Sequence, residues 1–478
     1  MLVYNWMLNG LLLLLWLMVC KNRRIYREKE LELKDLEHFL AELSQQYARD
    51  ADVPRALEES IPAAGATLQE ELIGFQDALV ADTGDDAFYK EQKQKNPYML
   101  LLFSLCHTIR QYGDLQVNGV SLFIHNLRYI KEELRIELLR RQEGHYAFLG
   151  LSALAFLPFF ICLPLQWWSH SISESLDRFF IGGYGFVTLS VCFMLTVVCA
   201  LGVQELQNPL MPDAREHTFA QWVLRIPPVQ RLVDLQIAAH YSRYLKKNEQ
   251  LKQLQGYGNI REFLVKKVLC AAGLGLLAAL LAFGAQLVRM YQGGTGGQRG
   301  METILLLVAS ACLGYFLPDA RVVILQARVE YQKMEETLRF ETLVLIVIHY
   351  SQVTVEELLG QMERFSIVFS RALQRAVDDF SFHRRESLQR LGEELGYEPA
   401  KKISDGLIAC DDLPLSQVFH DIEGERAYNM ESFKRKALDM QREKAAFARI
   451  LAFLPFVFIL MLRLIVPFVL EGLSQLNQ

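Results

Sequence analysis

A continuous apolar stretch near the carboxyl end of the chain decides the class of protein. The stretch, residues 450–470, reads ILAFLPFVFILMLRLIVPFVL, and Arg463 is its only charged residue. A helix needs ~20 mostly apolar residues to cross the hydrocarbon core of a bilayer. These residues therefore predict a transmembrane helix.

Five further stretches have the same character. They are residues 2–20, 147–165, 179–203, 268–288 and 304–317. The first is followed, and not preceded, by the basic residues Lys21, Arg23 and Arg24, so we predict an uncleaved anchor instead of a cleaved signal peptide. The chain is expected to cross a membrane about six times.

The composition agrees with a membrane protein and excludes several other classes. Of 478 residues, 51% are hydrophobic and 22% are charged, which excludes collagen-like and disordered chains. The net charge of −5 argues against a nucleic-acid binder, whose surface would be strongly basic. Six of the eight cysteines lie in or at the end of apolar stretches, so we expect structural thiols that pack as small hydrophobes and neither a disulfide framework nor a metal site.

Lysine and arginine residues predict the orientation, because they accumulate in loops that stay in the cytoplasm. They flank or fill residues 21–146, 204–267 and 318–449, whereas the loops 166–178 and 289–303 hold three in total. Both termini would then lie outside. Most of the polar residues would be cytoplasmic.

These patterns predict an all-α, polytopic membrane protein with about six transmembrane helices and two repeated cytoplasmic helical-bundle domains. The predicted segments are a transmembrane anchor (1–20), a first cytoplasmic helical domain (21–146), a transmembrane hairpin (147–203), a cytoplasmic helical linker (204–267), a second transmembrane hairpin (268–317), a second cytoplasmic helical domain (318–449), a last transmembrane helix (450–470) and a tail (471–478).

An internal match indicates a duplication. The hexapeptide LAFLPF occurs at residues 154–159 and again at residues 451–456, each time opening a predicted span after a polar stretch. Upstream, Tyr47 precedes Asp52-Val53 much as Tyr350 precedes Thr354-Val355. Apolar helices share composition, so a chance match is the alternative. The agreement of sequence and position favours duplication.

Motifs for enzymatic chemistry are missing from the sequence. There is no GxxxxGK[ST] phosphate loop, and the glycine-rich run 293–300 lacks its lysine and predicts a flexible turn. No HExxH, no histidine pair at metal spacing and no GxSxG elbow occurs. We therefore predict a protein that is not an enzyme and that holds no cofactor or metal.

Three residues within the predicted spans are candidates for a structural or coupling role. Arg463 would either extend its charged end toward the outer leaflet or pair with an acid on another helix. Pro158 and Pro455 each remove a helix hydrogen bond and would bend a span near its cytoplasmic end, as hinges or as packing kinks. The charge runs 90–95 and 378–385 are typical of solvated faces, with docking of a partner as the alternative.

The run GYFLPD, residues 314–319, stands at a predicted membrane exit and is followed by Arg328 and an apolar helix from Phe340. Together with residues 251–269 ahead of a span, it resembles the F family of type II secretion proteins, in particular the tight-adherence (Tad) pilus subgroup. Pro318 and Asp319 are the coupling candidates in this run.

The resemblance implies an inner-membrane platform for a pilus or secretion machine. Such a platform assembles around a cytoplasmic ATPase, takes pilin subunits from the bilayer, and associates with itself or with related platform subunits. The second half of this chain ends after one span, and an extra span stands near residue 1, so the chain looks like two platform subunits fused.

A membrane transporter or channel built from two repeats is the alternative. The scarcity of ionisable residues in the predicted spans argues against it, because a substrate path would need more of them than Arg463.

Overall fold

The computed structural model describes residues 2–80, 96–117, 119–172, 176–207, 222–239, 241–253, 260–291 and 300–476. These residues are almost entirely helical. The single sheet among them is a two-stranded antiparallel hairpin in which Gln116 pairs with Ser121 and Val117 with Val120. The charge run 90–95 and residues 293–299 of the glycine-rich run lie outside the described residues.

The first half of the chain contains nine helices and the hairpin among its described residues. They are α1 (Leu2–Asp50), α2 (Val53–Ser60), a 3-10 turn (Ile61–Ala63), α3 (Ala66–Val80), α4 (Pro97–Tyr112), β1 (Gln116–Val117), β2 (Val120–Ser121), α5 (Leu122–Phe148), α6 (Leu151–Phe160), α7 (Cys162–Ile172), α8 (Asp177–Ile181) and α9 (Gly183–Gln207).

The second half continues with helices of very different lengths. They are α10 (Pro227–Ala239), α11 (Tyr241–Gln253), α12 (Ile260–Tyr291), α13 (Gly300–Val347), α14 (Val355–Phe365), α15 (Ser370–Phe380), α16 (Arg384–Leu395), α17 (Glu398–Ala409), α18 (Leu415–Val418), α19 (His420–Ile459), a π-helical segment (Leu460–Ile465) and α20 (Val466–Leu476).

The helices form two compact units. The membrane unit comprises Met1–Arg23, Gly144–Ala327 and Arg442–Gln478, and the polar unit comprises Arg24–Glu143 and Arg328–Gln441. All four boundaries between the units fall inside helices, namely α1, α5, α13 and α19.

Six helical stretches in the described residues are long and apolar enough to cross a membrane. They are Val3–Lys21, Leu122–Ser169, Gly183–Gln207, Ile260–Gly284, Leu306–Val347 and His420–Ser474. Each contains or largely overlaps one of the six predicted spans, including the short stretch 304–317. The expectation of a helical protein with about six membrane-spanning helices agrees with this count.

The polar unit has one core to which both polar stretches contribute. Phe39 and Phe123 from the first stretch are fully buried in the same cluster as Leu343, Leu359 and Leu388 from the second. Each short amphipathic helix has one apolar face to bury, and a shared core buries more of these faces than two small bundles would. The two predicted bundle domains are thus combined in one unit instead of standing as separate bodies.

The duplication is not confirmed by the described elements. Both halves do start alike, because α2 begins after Asp52 and α14 begins after Thr354, at the positions that the sequence match aligned. The elements then differ: α3 and α4 have 15 and 16 residues, whereas α15 and α16 have 11 and 12. The repeat therefore stays a prediction.

The two aligned tyrosines meet at a single turn of the polar unit. The Tyr47 hydroxyl donates to Asp114 Oδ2 at 3.0 Å, and the Tyr350 hydroxyl donates to the carbonyl oxygen of Gly113 at 2.8 Å. Gly113 ends α4 with φ +81°, a conformation that glycine adopts without strain. This turn joins α1, α4 and the end of α13.

Candidate functional site

The GYFLPD run forms a close contact between α12 and α13 inside the membrane unit. A Cβ placed on Gly314 would lie 2.6 Å from the Cys270 carbonyl oxygen and 2.8 Å from the Ala271 Cα. Only glycine allows the two backbones to approach this closely. Pro318 follows one turn later within α13, which continues through it to Val347.

Asp319, the last residue of the run, is held by two lysines from different helices. Lys247 of α11 donates to Asp319 Oδ1, and Lys267 of α12 lies 2.5 Å from Asp319 Oδ2. The Lys267 ammonium also lies 4.1 Å from the centre of the Tyr315 ring. The cluster carries a net charge of about +1 and ties α11, α12 and α13 together.

A second ion pair joins the same segment of α13 to α9. Arg321 Nε donates to Glu205 Oε1 at 3.2 Å, and both side chains are partly exposed. Exposed pairs of this kind contribute little stability on their own. With the Asp319 cluster, however, this pair sets the position of α13 against three neighbouring helices.

The prolines of the repeated hexapeptide lie in different local structures. Pro158 is close to the end of α6, where the backbone turns at Ile161, and Gly150 with φ +82° separates α5 from α6. Pro455 lies inside α19, which continues to Ile459. The second span, which holds the first hexapeptide, is therefore interrupted on both sides of it, whereas the last span becomes irregular only after its hexapeptide.

Arg463 is enclosed within the membrane unit. Its side chain is 1% exposed and is the largest of the fully buried side chains. The guanidinium carbon lies 5.3 Å from the centre of the Phe180 ring. Within the described residues none of its three nitrogens has an oxygen or nitrogen acceptor, and the Cys162 thiol is only a weak partner. The expectation that Arg463 extends to the membrane surface does not match this burial.

The backbone around Arg463 is π-helical. The Val466 N–H bonds back to the Met461 carbonyl, five residues earlier, and Pro467 has no N–H to offer. The Leu462 carbonyl is thereby left without a backbone donor, and the Tyr184 hydroxyl of α9 donates to it at 2.6 Å. Short π segments of this kind are frequent at functional sites.

The polar unit contains a buried ionic network that sequence reasoning missed. Arg426 of α19 donates to Glu133 Oε1 of α5 at 2.6 Å and to Thr342 Oγ1 of α13 at 2.5 Å, and Thr342 donates in turn to Glu133. Arg426 and Glu133 are each 3% exposed at the side chain. The network connects three long helices from both halves of the chain. Its only sequence signal is a charge on the apolar face of a helix.

Glu336 has a comparable buried position on α13. Its carboxylate accepts from the Ser366 hydroxyl at 2.9 Å and from three backbone N–H groups that precede α15, those of Ile367, Val368 and Phe369. These N–H groups belong to the loop before α15, and a buried carboxylate that accepts several of them holds that loop in one conformation. Glu336 thus fixes the start of α15.

A surface cavity of about 570 Å³ lies beside the end of α13 and the start of α18. Tyr350, Thr354, Arg384 and Asp411 line it, and Arg384 lies 3.6 Å from Asp411. Burial raises the pKa of the lining thiol Cys410 to about 11. That thiol is protonated at neutral pH and is unsuited to act as a nucleophile.

The charge run 378–385 is solvated, as predicted. Every one of its residues except Phe380 is exposed, and Phe382 is 82% exposed at the loop between α15 and α16.

No cluster of three metal-ligating side chains occurs in the described residues.

No family model matches the sequence, no curated protein is significantly similar to it, and no solved structure matches its fold. The role of the chain therefore has to be argued from the two units and their buried polar groups.

Proposed function

We propose that the protein is a non-enzymatic inner-membrane platform of a type IV or Tad-like pilus or of a type II secretion machine. It couples a cytoplasmic ATPase to the extraction of pilin subunits from the bilayer and to filament assembly. The observation that carries the proposal is that four helices, α1, α5, α13 and α19, each contribute residues to both the membrane unit and the polar unit.

Such helices suit a coupling device. A helix resists bending, so a displacement of its polar part is passed to its apolar part without a separate hinge. In the polar unit α5, α13 and α19 are joined by the Glu133, Thr342 and Arg426 network. A partner that moves this unit would move α13 and α19 together, and both helices continue into the membrane unit.

The proposal places the polar unit in the cytoplasm, where the ATPase would dock. The partners are that ATPase, pilin subunits in the bilayer, and other copies of the chain or related platform subunits. The exposed loop between α15 and α16, with Phe382 at its tip, is the part of the polar unit that we assign to ATPase docking. One chain would take the role of two separate platform subunits.

Deletion of the gene in its own host tests the proposal. We expect loss of surface filaments or of the secreted substrate, while the pilin precursors remain in the membrane at normal levels. A wild-type copy should restore assembly, and a copy with Phe382→Ala should restore it incompletely while accumulating normally. Normal filaments and normal secretion in the deletion strain would refute the platform assignment.

A transporter or channel built from two repeats is the second candidate, and the buried Arg463 is the observation that favours it. It predicts flux of a solute or ion across proteoliposomes that contain only this chain. Flux that exceeds that of empty liposomes, and that Arg463→Gln removes, would favour this candidate over the platform.

A further inference from the structure

Arg463 is a buried cation without an anionic partner among the described residues. The guanidinium is always charged and has five N–H donors; among the described residues its three nitrogens have no oxygen or nitrogen acceptor, and the Cys162 thiol beside it is only a weak acceptor. The Phe180 ring contacts the cation at 5.3 Å, but an aromatic face offers no hydrogen-bond acceptor. A buried cation in an apolar unit requires an anionic partner or a set of acceptors.

The neighbours of the guanidinium come from separate elements. Phe180 lies on α8, Tyr184 on α9 and Cys162 on α7, while Arg463 lies in the π-helical segment. The Tyr184 hydroxyl donates to the Leu462 carbonyl, which keeps this irregular backbone in place. These neighbours therefore hold Arg463 in position, and none of them is an acid that would neutralise it.

The depth of Arg463 distinguishes between kinds of anion. Arg449 and Glu471 are the charged residues that bracket the apolar stretch, and Arg463 lies eight residues before Glu471. At ~1.5 Å per residue this places it ~12 Å from the nearer polar end. A lipid phosphate stays at the membrane surface, whereas a carboxyl group on an apolar helix can be carried to this depth in its protonated, neutral form.

We propose that Arg463 is the receptor for a single carboxylate presented within the bilayer by an apolar helix of another polypeptide. The guanidinium binds the two carboxylate oxygens through its in-plane N–H groups, and the acid releases its proton to water. For the identity of the partner the inference rests on the proposed function, in which membrane-embedded subunits are handed to a filament. Phe180, on the five-residue helix α8, has to move aside to admit the carboxylate.

A binding experiment with synthetic helices tests this site without an ATPase or a filament. The full-length protein is placed in phosphatidylcholine nanodiscs, and an apolar transmembrane peptide carrying one glutamic acid eight residues from one end is titrated against it. The same peptide with glutamine is the matched probe. We expect the glutamic acid peptide to bind wild-type protein at least 10-fold more tightly.

Variants of the protein then assign this preference to Arg463. Arg463→Gln should abolish the preference, Arg463→Lys should retain part of it, and Arg449→Gln, at an exposed arginine before the same apolar stretch, should leave it unchanged. Infrared spectra of a peptide with isotope-labelled glutamic acid should show a carboxylate on wild-type protein and a protonated acid on Arg463→Gln.

The contrary outcomes are equally specific. Equal binding of the two peptides by wild-type protein would overturn the inference, and this comparison needs no variant to fold. A preference that survives Arg463→Gln would overturn it as well. If phosphatidic acid nanodiscs without peptide showed an immobilised phosphate that Arg463→Gln released, the site would bind lipid instead. The deletion experiment does not depend on this binding result. Failure of the peptide to bind would therefore overturn the inference about Arg463 without overturning the proposed function.

Discussion

The Tyr184 hydroxyl donates a hydrogen bond of 2.6 Å to the Leu462 carbonyl, 278 residues away in sequence. In a regular helix this carbonyl would accept from the Val466 N–H, but Val466 bonds to Met461 instead. The next possible donor would be residue 467, which is proline. The side chain of one membrane helix thus replaces a backbone donor that another helix lacks, directly beside Arg463.

The hydrogen bond from Tyr184 to the Leu462 carbonyl predicts that the stability effects of two substitutions depend on each other. Tyr184→Phe leaves the Leu462 carbonyl unpaired and should destabilise the protein by about 1 kcal/mol. Pro467→Ala supplies a backbone N–H to the same carbonyl, so Tyr184→Phe should cost much less in that background. Thermal unfolding of the four proteins in nanodiscs measures the coupling. Strictly additive effects would contradict the explanation given for the π segment.

The contact at Gly314 predicts a steric effect between α12 and α13. Gly314→Ala should lower the unfolding temperature and the yield of monodisperse protein, because the new Cβ would lie 2.6 Å from the Cys270 carbonyl oxygen. Gly275→Ala, on α12 with no atom within 4 Å of its Cβ position, is the control. It should be neutral or stabilising by up to about 1 kcal/mol, as expected for an open helical position. Equal behaviour of the two variants would show that the helices separate easily.

The network around Arg426 predicts a large loss of stability from a single substitution. Glu133→Ala removes the acceptor at 2.6 Å from a fully buried guanidinium, leaves it only the longer contact of 3.4 Å with Glu341, and should cost about 3 kcal/mol. Arg128→Ala breaks an exposed pair with Glu132 on the same helix and should cost under about 1 kcal/mol. Denaturant unfolding followed by a probe in the polar unit provides the measurement.

A companion variant separates lost charge pairing from lost packing. Glu133→Leu combined with Arg426→Met replaces the pair by apolar groups of similar volume and should recover much of the stability lost in Glu133→Ala. If the double variant is as unstable as the single one, the network is needed for more than charge compensation.

The turn at Gly113 and Asp114 predicts an alkaline loss of stability. Burial and the nearby Asp114 carboxylate raise the pKa of Tyr350 to about 12, from an ordinary value of 10. Because the folded pKa is raised, the stabilisation is fully present below pH ~10 and is lost as the pH rises through the folded pKa. Tyr350→Phe should flatten the stability profile over this interval, while Tyr428→Phe, at an exposed tyrosine, should not. An unchanged profile in Tyr350→Phe would refute the assignment.

The orientation can be tested with single cysteines at exposed positions. We predict that Ser381→Cys in the polar unit reacts with an impermeant thiol reagent only after the cells are opened, whereas Leu476→Cys reacts in intact cells. Both positions are exposed, so burial would not explain a lack of reaction. Labelling of position 381 in intact cells would reverse the predicted topology.

The sequence by itself determined the helical class and the six membrane-directed stretches. Their length and apolar composition are local properties, and no packing partner is needed to recognise them. It also identified Arg463, because a charge within an apolar stretch is visible without a structure, whereas Asp319 was singled out through the family resemblance of the run 314–319. The exposure of the run 378–385 was also predictable, because its charged residues favour contact with water over burial.

Tertiary structure alone decided how the polar stretches combine and which groups pair. Residues 24–143 and 328–441 share one core, although nothing local distinguishes this from two bundles, because amphipathic helices can bury their apolar faces against any suitable neighbour. The partners of Asp319, Arg426 and Leu462 lie up to 293 residues away in sequence. The burial of Arg463 likewise depends on helices packed around it, since depth along a span fixes the distance to the membrane surface but not the side chains that surround the charge.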